Sequence, residues 1–184
     1  MNVFDFDKTI FRGDSTTKFY AYCFLRTPKM LLRLPKLIYG ALFILPKDKQ
    51  RFKEQTFAFL TDVKDVQKML DAFWKKHQNG FKPFYADIHR EDDLVISASP
   101  YFIVRPAMEM LGIKRLIASP VDMHTGKYGG PNCHGEEKVV QFRRNYPNET
   151  IENFYSDSHS DDPMAAISQK AWLIKGDRVT PWHI

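Results

Sequence analysis

Four short apolar runs, each followed or closed by polar residues, constrain the fold of this chain more than any other feature. They are "NVFDF" at 2–6, "LVISAS" at 94–99, "RLIAS" at 115–119 and "ENFYSD" at 152–157. Short runs rich in Val, Ile, Leu and Phe read as strands, and near-continuous apolar strands belong to a sheet covered on both faces. Between the later runs lie stretches of helical pattern, Tyr101 to Leu111 and Glu136 to Asn145. The alternation predicts βαβ units, hence an α/β fold with a mainly parallel sheet. A last pair, "PMAAISQ" then "AWLIKG", repeats the unit. The stretch "VDMHTGKYGG" reads instead as a hairpin or flap, with turns at Gly126 and Gly129-Gly130.

Residues 15–90 break the rhythm. Val63, Val66, Leu70 and Phe73 fall at helical spacing with Met69 and Trp74 beside them, and Phe52, Thr56, Phe59 and Leu60 make a second, noisier stripe. The segment enters after the first strand and leaves before the second. It is therefore expected to form a helical cap over the strand ends, with 1–14 and 91–184 forming the core. Charge divides along the same line: 15 Lys/Arg and 6 Asp/Glu within 15–90, against 12 and 16 in the remainder, a balance of +9 against −4. Such asymmetry concerns partners rather than fold.

At 184 residues the chain suffices for one domain with a proper core, and it is too apolar for disorder. Cys23 and Cys133 have no pairing pattern and no C-x-x-C, so neither a disulfide framework nor a structural zinc is expected. No signal peptide fits, since acidic residues appear by position 5. A cytoplasmic protein is the resulting expectation.

In open α/β sheets, ligands bind outside the carboxyl ends of the strands. The first run ends in Asp5-Phe6-Asp7, the second in Ser97-Ala98-Ser99, and the run at 152–157 in Ser156-Asp157, with Asp161 four residues on; Lys138 stands near a helix start in "GEEKVVQF". Asp5 and Asp7, two apart on an extended segment, point to one side. Like charges at that range shift their pKa values apart or are neutralised by a cation. Carboxylates, a hydroxyl and an amine converging on one pocket suit a hard divalent cation plus a phosphate.

In these residues the sequence resembles the haloacid dehalogenase superfamily, in particular its phosphoserine-phosphatase-like branch. "DFDKT" is similar to its D-x-D-x-T motif, the Ser97 of "VISAS" to the second motif, Lys138 of "GEEK" to the third, and "SDSHSDDPM" to the acidic fourth. The resemblance implies a Rossmann-like core with a helical cap inserted after the first strand, and a phosphatase acting on a small phosphorylated substrate. Asp5 would be the nucleophile, Asp7 the general acid and base, and Ser97 with Lys138 the phosphate clamp. Mg²⁺ would be held by Asp5, Asp7 through its backbone carbonyl, and Asp157, with Asp161 in support. Thr9, Asp14 and Ser99 are placed as substrate-binding positions. Lys8 stands where the family often has a small residue, and Ala98-Ser99-Pro100 replaces a glycine-rich turn. Asp14 matches a family Glu that receives the amine of phosphoserine, but is one carbon shorter.

Substrate choice should lie in the cap. Its most apolar stretch, "KMLLRLPKLIYGALFILP" at 29–46, carries Lys29, Arg33 and Lys36 at i, i+4 and i+7, with Pro35 as a potential kink. Three cations make it a poor transmembrane span. The expectation is a helix packed within the cap or at a dimer interface; the alternative is an interfacial helix in peripheral contact with an anionic membrane. The alternative has a counterpart in the phosphatidylglycerophosphate phosphatases, which the chain also resembles. A third class, a non-catalytic basic module, finds no nucleic-acid motif to support it, and no nucleic acid is expected as partner.

Overall fold

The computed structural model describes residues 1–183, and for Lys49 the backbone. Its sheet is built from β1 (Asn2–Phe4), β2 (Leu94–Pro100), β3 (Arg115–Ser119), β4 (Ile151–Ser156), β5 (Ser168–Lys175) and β6 (Arg178–Pro181) in the order β3-β2-β1-β4-β5-β6. All neighbours are parallel except the β5–β6 hairpin. β1 is central, with Val3 level with Leu94 on one side and Phe154 on the other.

Side-chain alternation divides the core between the two faces of this sheet. Val3, Leu94 and Ile96 join Phe142, Ile151, Phe154 and Met164 on one face. Phe4 and Val95 join Phe19, Phe73, Trp74 and Ile103 on the other. The first face is covered by α7 (Glu136–Asn145) and α8 (Asp162–Ala166), the second by α6 (Tyr101–Leu111) and helices from the segment between β1 and β2. α7 has Glu136 and Glu137 in its first turn and Arg143 and Arg144 in its last, each sign matching the helix dipole. α6 stops at Gly112, whose left-handed φ of 71° lets its N–H bond back to the last turn.

Between β1 and β2 the chain forms α1 (Ser15–Phe24), α2 (Leu34–Phe43), α3 (Lys49–Phe57), α4 (Val66–His77) and α5 (Pro83–Ile88). Asp14, Asp48 and Asp65 cap α1, α3 and α4, accepting from Thr17 N at 2.6 Å, Arg51 N at 2.9 Å and Lys68 N at 2.9 Å. Of the stripe read from Val63 to Trp74, Val66, Leu70, Phe73 and Trp74 are buried on α4 and Met69 is half-buried there, whereas Val63 precedes the helix in extended conformation. The noisier stripe is noisy because α3 ends at Phe57 and a 3₁₀ turn, Ala58–Asp62, takes over. Phe59 and Leu60 are buried there, whereas Phe52 and Thr56 face a cleft.

Residues 29–46 differ from the expected single buried helix. Pro28 and Pro35 each sit in the first turn of a separate element, a 3₁₀ turn (Pro28–Arg33) and α2, so Pro35 starts a helix rather than kinking one. Arg33 leaves the basic stripe to pair with Asp62. Only Met30 and Gly40 are buried along these two elements.

Candidate active site

After Phe4 the chain leaves the sheet. Asp5 N still bonds to Tyr155 O at 2.8 Å, and then Ile10 N and Phe11 N both turn back on Phe6 O at 3.0 Å. Lys8 lies in the left-handed region, φ 57°, which explains why a small residue would suit the position. The turn is braced from outside: the buried Lys82 ammonium donates to the carbonyls of Lys8 and Gly176. This loop points Asp5 and Asp7 into one cleft of about 440 Å³, which also receives the ends of β2 and β4.

Asp5 is almost fully buried. Its Oδ1 accepts from Lys138 Nζ at 2.7 Å and its Oδ2 from Thr9 Oγ1 at 3.3 Å. The same ammonium donates to Asp161 Oδ2 at 2.7 Å, which also accepts from Ser156 Oγ at 2.7 Å. Burial pushes Asp5 up to about 7; Lys138 opposes this, and Asp161 and Asp7 add to it. Burial draws Lys138 down, but Asp5 and Asp161 more than offset it and leave its pKa raised. Lys138 is thus a permanent cation shared between two acids.

Asp7 is held apart from that pair. Ser15 N donates to Oδ1 at 2.6 Å and Ser99 Oγ donates to Oδ2, while Ser99 Oγ also meets Thr16 Oγ1 at 2.8 Å. Burial raises Asp7, and the Ser15 and Ser99 bonds lower it again. Ser97 Oγ accepts from Ser99 N at 3.1 Å, at the mouth of β2. Asp157 lines the cleft half-buried, raised by burial and opposed by Lys8. Asp14 also lines it while capping α1 with Oδ1.

All nine positions singled out from sequence therefore line or support one cleft, in different manners. Thr9 and Ser99, placed as substrate-binding, bond to the two aspartates themselves. Sequence reasoning did not find the roof: Phe52, Lys53, Thr56 and Phe57 of α3, with Tyr128 and His134. The roof is tied to the 121–130 flap. Tyr128 N donates to Glu54 Oε1 at 3.0 Å, and Lys53 Nζ donates to Asn132 Oδ1 at 3.0 Å. Gly126, at φ 73°, packs so closely that a Cβ would lie 2.6 Å from the Phe57 carbonyl oxygen. The flap was legible from its glycines, its contact with α3 was not.

The donor set bears on a cation. Asp161 Oδ1 is buried with no hydrogen-bond partner, and Asp5, Asp7 and Asp157 are all raised by burial. Oxygen donors with unspent lone pairs fit a hard ion such as Mg²⁺. Among the described residues, no three Asp, Glu, His or Cys side chains already surround one point at ligating distance. Lys138 occupies the centre between Asp5 and Asp161 instead.

The model of the haloacid dehalogenase-like hydrolase family matches residues 3–166. No curated protein matches the chain. Among solved structures, a Bordetella pertussis Tohama I protein of unknown function is similar at 19% identity and TM-score 0.73, covering 93% of this chain and 87% of that one. A phosphoserine phosphohydrolase-like protein from Francisella tularensis subsp. tularensis SCHU S4 is 15% identical, with TM-score 0.54 and coverage of 93% and 86%. A probable phosphoserine phosphatase from Vibrio cholerae is 12% identical, with TM-score 0.63, covering 92% of this chain and 55% of that one. At these identities the likeness is one of fold. The family match, spanning the strands that deliver Asp5, Ser97 and Asp157 and the helix that delivers Lys138, is decisive: this chain belongs to the haloacid dehalogenase-like hydrolases.

Proposed function

We propose that the chain is a Mg²⁺-dependent phosphomonoesterase that works through an aspartyl-phosphate at Asp5 and acts on a small phosphorylated substrate. The observation that carries this reading is the separate tethering of two carboxylates in one cleft. Asp5 is fixed by Lys138 and Thr9, while Asp7 is fixed by Ser15 and Ser99. A nucleophile and an acid/base need different surroundings, and these two have them.

An Asp5 carboxylate oxygen forms the bond to phosphorus as the ester P–O bond breaks, and the departing alkoxide takes a proton from Asp7. Water then attacks the aspartyl-phosphate, giving its proton to Asp7, and the P–O bond to Asp5 breaks to free the carboxylate and inorganic phosphate. Lys138 meets the charge on the transferring group, with Ser97 beside it, since phosphoryl transfer depends chiefly on positioning and electrostatics. Asp5, Asp157 and the carbonyl of Asp7 would hold Mg²⁺, supported by Asp161. When bound, that ion neutralises the carboxylate cluster and the phosphate, restoring Asp5 to its ionised form.

Asp14 caps α1 with one carboxylate oxygen while lining the cleft, which supports an amine-bearing ester such as phosphoserine as the substrate. A second reading, an amphiphilic phosphate monoester presented at a lipid surface, is favoured by the exposed apolar side chains of α2. The test of the activity is hydrolysis of an aryl phosphate with Mg²⁺. Asp5→Asn should abolish turnover with the fold intact, and chelation should stop the wild type. Full activity in Asp5→Asn, or activity indifferent to chelation, would contradict the proposal.

A further inference from the structure

Of the thirteen exposed large apolar side chains among the described residues, eight fall between Leu31 and Leu45. Scattered exposed leucines need no explanation, but a contiguous patch does. Leu34, Ile38 and Leu42 recur at one-turn spacing along α2, with Ile38 60% and Leu42 65% exposed. Tyr39 and Phe43 stand beside them, ring centroids 4.9 Å apart, and Leu32, 83% exposed, leads into the helix. The opposite side of α2 is already used. Gly40 sits against Gln55 of α3, and Gln55 Nε2 donates to the Lys36 carbonyl.

The charges carried by this stretch of chain have one sign. From Ser15 to Lys47 the chain contains six Lys/Arg and no Asp or Glu. Arg33 is spent on Asp62, but Lys29, Lys36 and Lys47 are exposed around the patch. A second copy of this face would bring the same cations, and the acids at its edge, Asp62 and Asp48, are already engaged by Arg33 and by the first turn of α3. An anionic surface complements it. The ten residues of α2 are about 15 Å long, half the hydrocarbon thickness of a bilayer. No helix among the described residues is long and apolar enough to cross a membrane.

We propose that the outer face of α2 docks on the surface of an anionic lipid bilayer, its apolar side chains entering the interface and Lys29, Lys36 and Lys47 meeting the headgroups. Docking places the bilayer one helix layer from the cleft, because α3 packs under α2 and lines the cleft with Phe52, Lys53, Thr56 and Phe57. An amphiphilic phosphate monoester is the substrate class that gains from this; that consequence rests on the phosphomonoesterase reading, whereas the docking does not.

The experiment is cosedimentation of the whole chain with vesicles of phosphatidylcholine containing phosphatidylglycerol, and of phosphatidylcholine alone, at low and high salt. Wild type should bind the anionic vesicles at low salt and be released by high salt. Lys29→Gln/Lys36→Gln/Lys47→Gln should weaken binding roughly 100-fold, at about fivefold per cation. Ile38→Ser/Leu42→Ser/Phe43→Ser should abolish it, with circular dichroism and aryl phosphate turnover unchanged in both variants. Absence of binding at low salt would overturn the proposal. So would a wild-type dimer in gel filtration that the serine variant dissolves, which would assign the face to a second copy. Loss of turnover on an aryl phosphate in the wild type would remove the hydrolase reading while leaving the vesicle result to stand by itself.

Discussion

The ends of β1, β2 and β4 and the outer face of α2 are solved by opposite rules. At the strand ends charge is buried and answered from within: Lys138 meets Asp5 and Asp161, Ser156 meets Asp161, and Ser15 and Ser99 meet Asp7. On α2 large apolar side chains lie in the open and nothing among the described residues covers them. The first arrangement costs desolvation and is offset only by strong internal pairing, which fixes the geometry. The second gives up hydrophobic stabilisation that an outside surface can supply. The two therefore respond differently to the same kind of mutation.

The largest separation is expected for Lys138→Met. It leaves two buried carboxylates without their shared cation, and breaking such a pair costs about 3–5 kcal/mol. Chemical denaturation should show that loss together with loss of turnover; an unchanged midpoint would mean that the acids are not held by charge. Next comes Gly126→Ala, which strains a left-handed residue and pushes a methyl group at the Phe57 backbone. A cost of about 1–3 kcal/mol is expected, and at about 2–4 °C per kcal/mol the melting temperature should fall measurably. Unchanged melting would detach the flap from α3. Leu42→Ser, on the open face, should change stability by no more than about 0.5 kcal/mol. A larger loss would show that α2 is part of the internal core after all.

The smallest effect concerns pH. The Arg33 guanidinium holds Asp62 below its usual carboxylate range. The tether between the Pro28–Arg33 turn and the Ala58–Asp62 turn is therefore fully in place above the ordinary carboxylate pKa. It is lost as pH falls through the lowered one. Hydrogen exchange in residues 28–45 should quicken at that acid limit in the wild type and be fast at neutral pH in Arg33→Gln. Equal exchange in both proteins at neutral pH would remove the tether.

What was legible in the sequence follows the same division. α6 and α7 lie at the residues read, Tyr101–Leu111 and Glu136–Asn145, because a buried helix side and a buried sheet impose clear periods. β1 stops at Phe4 rather than reaching Phe6, since Asp5 and Asp7 are used by the turn and not by the ladder. β6 left no trace: all four of its residues are exposed, so it has no apolar alternation to read. The reading of residues 29–46 as a helix packed within the cap failed for a similar reason. Apolar composition predicts burial only when the chain itself supplies the cover, and two prolines divide the stretch besides. At the site, residue types identified the acids and the lysine. Which hydroxyl serves which aspartate, and which side chains of α3 roof the cleft, depend on tertiary contacts that no local pattern encodes.

The central claim is that Asp5 carries the phosphoryl group while Asp7 moves the proton, each in its own set of bonds. An aryl phosphate tests it directly, because its leaving group needs no proton. In Asp7→Asn the first step should then survive while water attack is slowed about 10²–10⁴-fold, so that a phosphoenzyme accumulates. The measurement is peptide mass spectrometry after acid quench of Asp7→Asn with aryl phosphate and Mg²⁺. The account predicts one phosphoryl group on the peptide containing Asp5, removable by hydroxylamine and absent when Asp5→Asn is added. A phosphoryl group on any other residue, or turnover through Asp7→Asn with none trapped, would contradict it.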